Sequence, residues 1–314
     1  MKRKLFLLIK LLIISPLGYA QINMEDSTVQ VIAYWDLGEI TSYSMVLENI
    51  TVNGEDTTFH GTTSYLVDME ILDSTDVEYT VKWTYRDLQN SFGPGNESLE
   101  EVANRARDIE GGDVVIFKTN NLGTFKTLVN WEQIRDYYDK VREQLLVDFD
   151  TLPNVNQLVD SMYGANQTQS QVQLSSTKDV FQFLNYHGAK LRLNEPLTGK
   201  MKLPGLYDRG LVDGDFFVEL EEIFEEDNDF RLVSFVEADA EQLVAQTREL
   251  LKAFIPDSSD DDIDTLMLQA GEITNTREDV TVMHGWGWPI YSQQVRRTTG
   301  NGVVNWEIRT IEIL

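Results

Sequence analysis

Cysteine is absent from all 314 residues, which removes disulfide staples, thiolate chemistry and any thioether-linked lipid from consideration. Stability must come from packing, and roughly 290 residues outside a leader are enough for one or two cores. Histidine is almost as scarce. His60, His187 and His284 are the three, no two at zinc-ligand spacing, and no H-E-x-x-H occurs. A glycine-rich phosphate loop, a G-x-G-x-x-G turn and a G-x-S-x-G elbow are also missing, so no cofactor, metal or catalytic residue is assigned. Basic residues are few, 26 against 52 acidic, for a net charge of −26. Such a surface repels nucleic acid and anionic headgroups.

Long apolar runs are lacking too, except at the start. Lys2, Arg3 and Lys4 precede Leu5 to Leu17, apolar apart from Lys10 and Ser15, and Gly18-Tyr19-Ala20 follows. A spanning helix needs about 20 apolar residues, more than this stretch supplies. It reads as a secretory signal peptide, residues 1–20, cleaved after Ala20. The mature chain, 21–314, is then expected in the periplasm or outside the cell, with no stable membrane anchor. The leader holds four bases and no acids, so its removal carries the charge from −26 to −30.

What remains is rich in strand signals, and its 10% aromatic and 42% hydrophobic content argues for a packed fold. Val77, Tyr79, Val81, Trp83 and Tyr85 share one face of a strand, and Glu78, Thr80, Lys82 and Thr84 the other. Further strands are expected over 29–34, 42–50, 57–69, 114–118, 124–129, 190–194, 210–224, 230–236, 280–283, 289–297 and 303–313. Asn53-Gly54 and Gly300-Asn301-Gly302 are hairpin turns. Helices are expected from Ser98, with Glu101 completing a capping box, from Asn130, after Pro153, and from Ser176, Asp239 and Ser259. Strands and helices come in blocks, which predicts an α+β fold: mainly antiparallel sheet, curved or two-lobed, with amphipathic helices packed on one side. The polar stretch 164–175 is the linker candidate between lobes 28–163 and 176–314.

His187 falls on the apolar face of its helix and reads as structural. His284 introduces Gly285-Trp286-Gly287-Trp288-Pro289, where two indoles between glycines either stack on a ligand or plug a core. Burial accounts for most aromatics. Trp83, Tyr85, His284, Trp286 and Trp288 are nonetheless the candidate ligand-binding residues. The acids of 257–264 lack the central glycine and terminal Glu of a calcium loop, and Ser259 makes them a helix start.

Gly287-Trp288-Pro289 followed by a strand and hairpin, and Asn120 to Trp131 with Gly123 in its turn, together resemble uncharacterised secreted β-rich protein families of Gram-negative bacteria. The resemblance implies export and a sheet with inserted helices, and brings no activity.

The expected function is that of an exported, non-enzymatic envelope protein binding an apolar or aromatic-stacking ligand or a partner protein. A carboxylate-dependent hydrolase of an envelope polymer would instead need two acids facing each other across a cleft. A structural or assembly component would need a large apolar patch.

Overall fold

Alternation at period two carries most of the chain into strands. The computed structural model describes residues 21–151, 155–163, 168–204, 211–255 and 259–314. The expected leader and its cleavage point lie outside these residues, as do Pro153, Pro256 and Asp257. In β3 (Ile40–Asn53), β4 (Asp56–Ser74) and β5 (Glu78–Ser91), every second side chain enters one core: Tyr43 and Met45, then Tyr65, Val67, Met69 and Ile71, then Val81 and Trp83. The other strands of this sheet are β6 (Val114–Asn120), β7 (Phe125–Leu128), β9 (Leu197–Pro204), β10 (Leu211–Phe224), β11 (Asp229–Ala238), β12 (Thr274–His284), β13 (Pro289–Gly300) and β14 (Val303–Ile313).

The eleven strands form one open antiparallel sheet in the order β7-β6-β5-β4-β3-β14-β13-β12-β11-β10-β9. The α+β, sheet-dominated class expected from the sequence is what the structure shows. One pairing governs the whole: β14 lies between β13 and β3, with Ile311 opposite Met45 and Arg309 opposite Leu47. The two sequence halves therefore share a single hydrogen-bonded sheet. A small second sheet, β1 (Ile22–Asn23), β2 (Thr28–Gln30) and β8 (Lys190–Arg192), lays Val29, Val31 and Leu191 against Leu220, Phe230, Leu232 and Met283 of the large one.

Helices complete the covering of that same face. They are α1 (Glu97–Arg107), α2 (Trp131–Asp148), α3 (Val155–Tyr163), α4 (Gln169–Ser176), α5 (Lys178–Phe183), α6 (Ala240–Phe254) and α7 (Asp260–Ala270). Val180 and Phe183 of α5 and Val172 of α4 enter the main core. Val102, Ala106, Val141, Leu145, Val155 and Val159 bind α1, α2 and α3 to one another in a satellite core. Leu243 of α6 packs with Val212, Val236 and Ile273. No described helix is long and apolar enough to cross a membrane.

Local differences from expectation have local causes. α1 begins at Glu97, not after Ser98, because the Glu97 carboxylate accepts the Gly95 N–H while Asn96 turns its side chain to the Phe92 carbonyl. Asn130 precedes α2 without capping it. Its side chain instead accepts the Ile116 N–H at 2.8 Å and donates to the Val114 carbonyl at 3.0 Å, tying the helix start to β6. Residues 169–175 of the linker candidate are helical, held at Thr168 by a capping box with Gln171, and Ser176 ends that helix where it was expected to begin one. Ser259 caps α7 as expected, in a reciprocal box with Asp262.

Candidate functional site

The five residues singled out by sequence are not brought together. Trp83 is fully buried, its ring 5.3 Å from Phe183 in a T-shaped contact. Trp288 is buried against Trp35 at 5.4 Å and also meets Phe183. Trp286 points the opposite way and stands in solvent. The glycines explain the reversal. Gly287 has φ +82°, and a Cβ there would lie 2.2 Å from the Ile32 carbonyl oxygen, because residues 31–36 pass directly over the turn. His284 Nδ1 accepts the Trp286 N–H at 3.2 Å, and its Nε2 lies 3.9 Å from Asp229 Oδ1.

Tyr85 belongs to a buried polar cluster. Its hydroxyl donates to Asp179 Oδ2 at 3.1 Å, and that of Tyr65 donates to the same oxygen at 2.7 Å. Arg309 Nε lies 3.3 Å from Asp179 Oδ1, and Arg309 also binds Glu307 at 3.0 Å. Burial, then the Asp179 charge, pushes both tyrosine hydroxyls well above their usual range. Burial alone would lower the Arg309 pKa, but Asp179 and Glu307 carry it above its ordinary value. A second cluster joins Tyr186, Ser234 and Asp279, with Arg277 on the carboxylate at 3.1 Å and Gln294 at 2.6 Å. Asp179 and Asp279 are each paired with an arginine, and each pairing ties segments distant in sequence to the sheet. Among the described residues, no group of three or more His, Asp or Glu side chains is placed to hold a metal ion.

The open space lies elsewhere. A groove of about 720 Å³ runs between α6–α7 and the end of the sheet where β3, β13 and β14 meet. One wall is apolar: Leu251 of α6, Leu266 and Ala270 of α7, with Ile273, Phe59 and Val303 at its borders. The floor is not. Covered-face residues along β3 run Tyr43, Met45, Leu47 and then Asn49 and Thr51, and along β14 Ile311, Arg309, Glu307 and Asn305. Across from these, β13 supplies Arg296 and Thr298. Thr51 Oγ1 donates to Asn305 Oδ1 at 2.8 Å, and Arg296 Nε donates to Asn275 Oδ1 at 3.1 Å. Sequence reasoning missed this floor. Its signal is nevertheless there: Gln293 to Thr299 contains one apolar residue, Val295, so neither face of that strand has the material for a core.

The fold and this geometry define a class, an open antiparallel sheet packed on one face by helices and a small second sheet, with a groove beneath α6 and α7. No family model matches the chain, and no curated protein does. Among solved structures it is similar to one of lipovitellin concerned with lipid–protein interactions, at TM-score 0.42 and 12% identity. That likeness covers 89% of this chain and spans 25% of the other.

Proposed function

We propose that this chain is an exported, non-enzymatic binding protein that holds a small amphipathic molecule in the groove beneath α6 and α7. One observation carries the reading. The covered face of the sheet changes from apolar to amide and hydroxyl residues under an apolar helical wall, and the space between has the volume of a ligand pocket. The apolar part of the ligand lies along Leu251, Leu266 and Ile273. Its polar part meets Asn49, Thr51, Asn305 and Arg296. None of the five residues first expected to make contact lines this groove: Trp83 and Trp288 lie in the core, Tyr85 bonds Asp179, and His284 and Trp286 stand at a turn.

Export rests on Lys2 to Ala20, and N-terminal sequencing of the mature protein should begin at Gln21. The binding reading is tested by native mass spectrometry of protein purified from its own compartment, with solvent extraction of any bound molecule. Val303→Trp fills the groove without touching the main core, and should abolish binding while the melting temperature holds. An amphiphile retained equally by wild type and Val303→Trp would end the proposal.

A further inference from the structure

At the other end of the sheet, away from the groove, the ends of adjacent strands are apolar and in water. Leu37, Ile40, Val77, Trp286 and Leu314 each leave 60% or more of their surface exposed. The register places them on one rim. Ile40 starts β3 opposite Glu70, Leu314 donates its N–H to the Ser42 carbonyl, and Val77 sits in the turn between β4 and β5. Gly38 donates to the Ile71 carbonyl, which sets Leu37 beside Leu72, and Tyr34 donates to the Trp286 carbonyl. The two hairpin turns at the groove end are polar by contrast, Asn53-Gly54 and Asn301-Gly302. Isolated exposed apolar residues mean little, but a row of them on neighbouring strands of one edge does.

Charge lies between these residues, and all of one sign. Asp36, Glu39, Asp73, Asp76 and Glu312 stand on the same rim, and among the described residues none has a cation in ion-pair reach. The lysines on the nearest strands are already paired, Lys118 and Lys126 with Glu78 and Lys82 with Glu70.

We infer that this rim is a docking surface for a basic, amphipathic helix of a partner protein. The apolar tips take its apolar stripe and the carboxylates its lysines and arginines. A second copy of the chain would bring like charge against like. A lipid surface would press the carboxylates against headgroup phosphates. From β5 to β12 the rim spans about 24 Å at the spacing of paired strands, close to the ~27 Å of an 18-residue helix.

The test uses the mature protein and a fluorescein-labelled peptide of about 18 leucines and lysines in amphipathic order, with a scrambled peptide of equal composition as reference. Anisotropy titration should show the ordered peptide binding about tenfold or more tighter than the scrambled one. The variant Leu37→Ser/Ile40→Ser/Trp286→Ser, and separately Asp36→Asn/Asp73→Asn/Asp76→Asn, should each weaken it by about tenfold. Neutralising three acids elsewhere, Glu55→Gln/Asp56→Asn/Glu101→Gln, should change affinity by no more than about twofold. All nine substituted side chains are exposed, so the fold survives, as melting temperatures would show. Equal loss in the distant variant, equal binding of the scrambled peptide, or binding of phosphatidylcholine vesicles in place of the peptide would each overturn the inference.

Discussion

His187 occupies a place that tolerates no charge. Its ring stacks on Phe183 and meets Trp35, Nε2 bonds the Gly287 carbonyl at 3.0 Å, and Nδ1 has no partner among the described residues. Burial pulls its pKa from the ordinary imidazole value of 6.5 to about 4. Above pH 6.5 the imidazole is neutral both folded and unfolded. Below it only the unfolded chain takes the proton, so stability falls as pH drops from 6.5 towards 4, by about 3 kcal/mol in all. His187→Phe should flatten that part of a urea-stability profile, and an unchanged slope would refute the account. Asp179 gives a second expectation. Asp179→Asn leaves the buried Arg309 with Glu307 as its remaining carboxylate partner beside two tyrosine hydroxyls, and should cost about 3 kcal/mol in the same assay. Both residues show where the sequence stops being legible. The helical spacing of Val180, Phe183, Leu184 and His187 pointed inward, and all four are buried. The aromatic letters at Trp83, Trp286 and Trp288 were equally visible. Which of them faces water depends on the strap over Gly287, and that contact spans some 255 residues of chain.

Among the elements, those built on periodic burial were readable and those built on contacts with other segments were not. The alternation of β5 predicted its centre, with Val81 and Trp83 buried and Lys82 paired to Glu70 on the other side, but Val77, expected on the buried face, lies in the β4–β5 turn and is exposed. α4 has almost no stripe: Val172 is its only buried residue, and it persists through its capping box and its seat beside α2 and β7. β9 was missed because Gly199 and Pro204 interrupt it, both tolerated on an edge strand. The missing Cβ of Gly199 leaves room for the Phe216 ring of the neighbouring strand. Asn130 was read as a cap by its type and position, yet it serves as a clamp between α2 and β6. Asn130→Ala removes both bonds and leaves the Ile116 N–H and Val114 carbonyl without them, so it should cost about 1–3 kcal/mol. Asn130→Asp keeps the acceptor for Ile116 and loses only the donor to Val114. It should fall between the two in thermal denaturation, and a neutral Asn130→Ala would show that the clamp contributes nothing.

On the scale of the molecule, the position of β14 decides what kind of object this is. Composition and blocks of strands and helices were enough for the α+β class, because they depend on local pattern. Strand order was not, since the pairing of β14 with β3 joins residues some 260 positions apart and leaves no local trace. The consequence is cooperative. Cutting the chain between the two sequence halves would expose an edge on each: β3 would lose its partner for nearly its whole length, and β14 would present its N–H and carbonyl groups to solvent. Tyr65 and Tyr85 from the first half would also lose Asp179 and Arg309 from the second. Residues 28–163 and 176–314 expressed separately should therefore be insoluble or lack a cooperative melting transition. Co-expressed, they should recover one shared transition at a temperature below that of the intact chain, because association of two pieces costs entropy that the covalent chain does not lose. Two independent, sharp transitions from the isolated halves would show instead that each closes its own core, and that the β3–β14 seam is an interface between lobes and not the middle of one sheet.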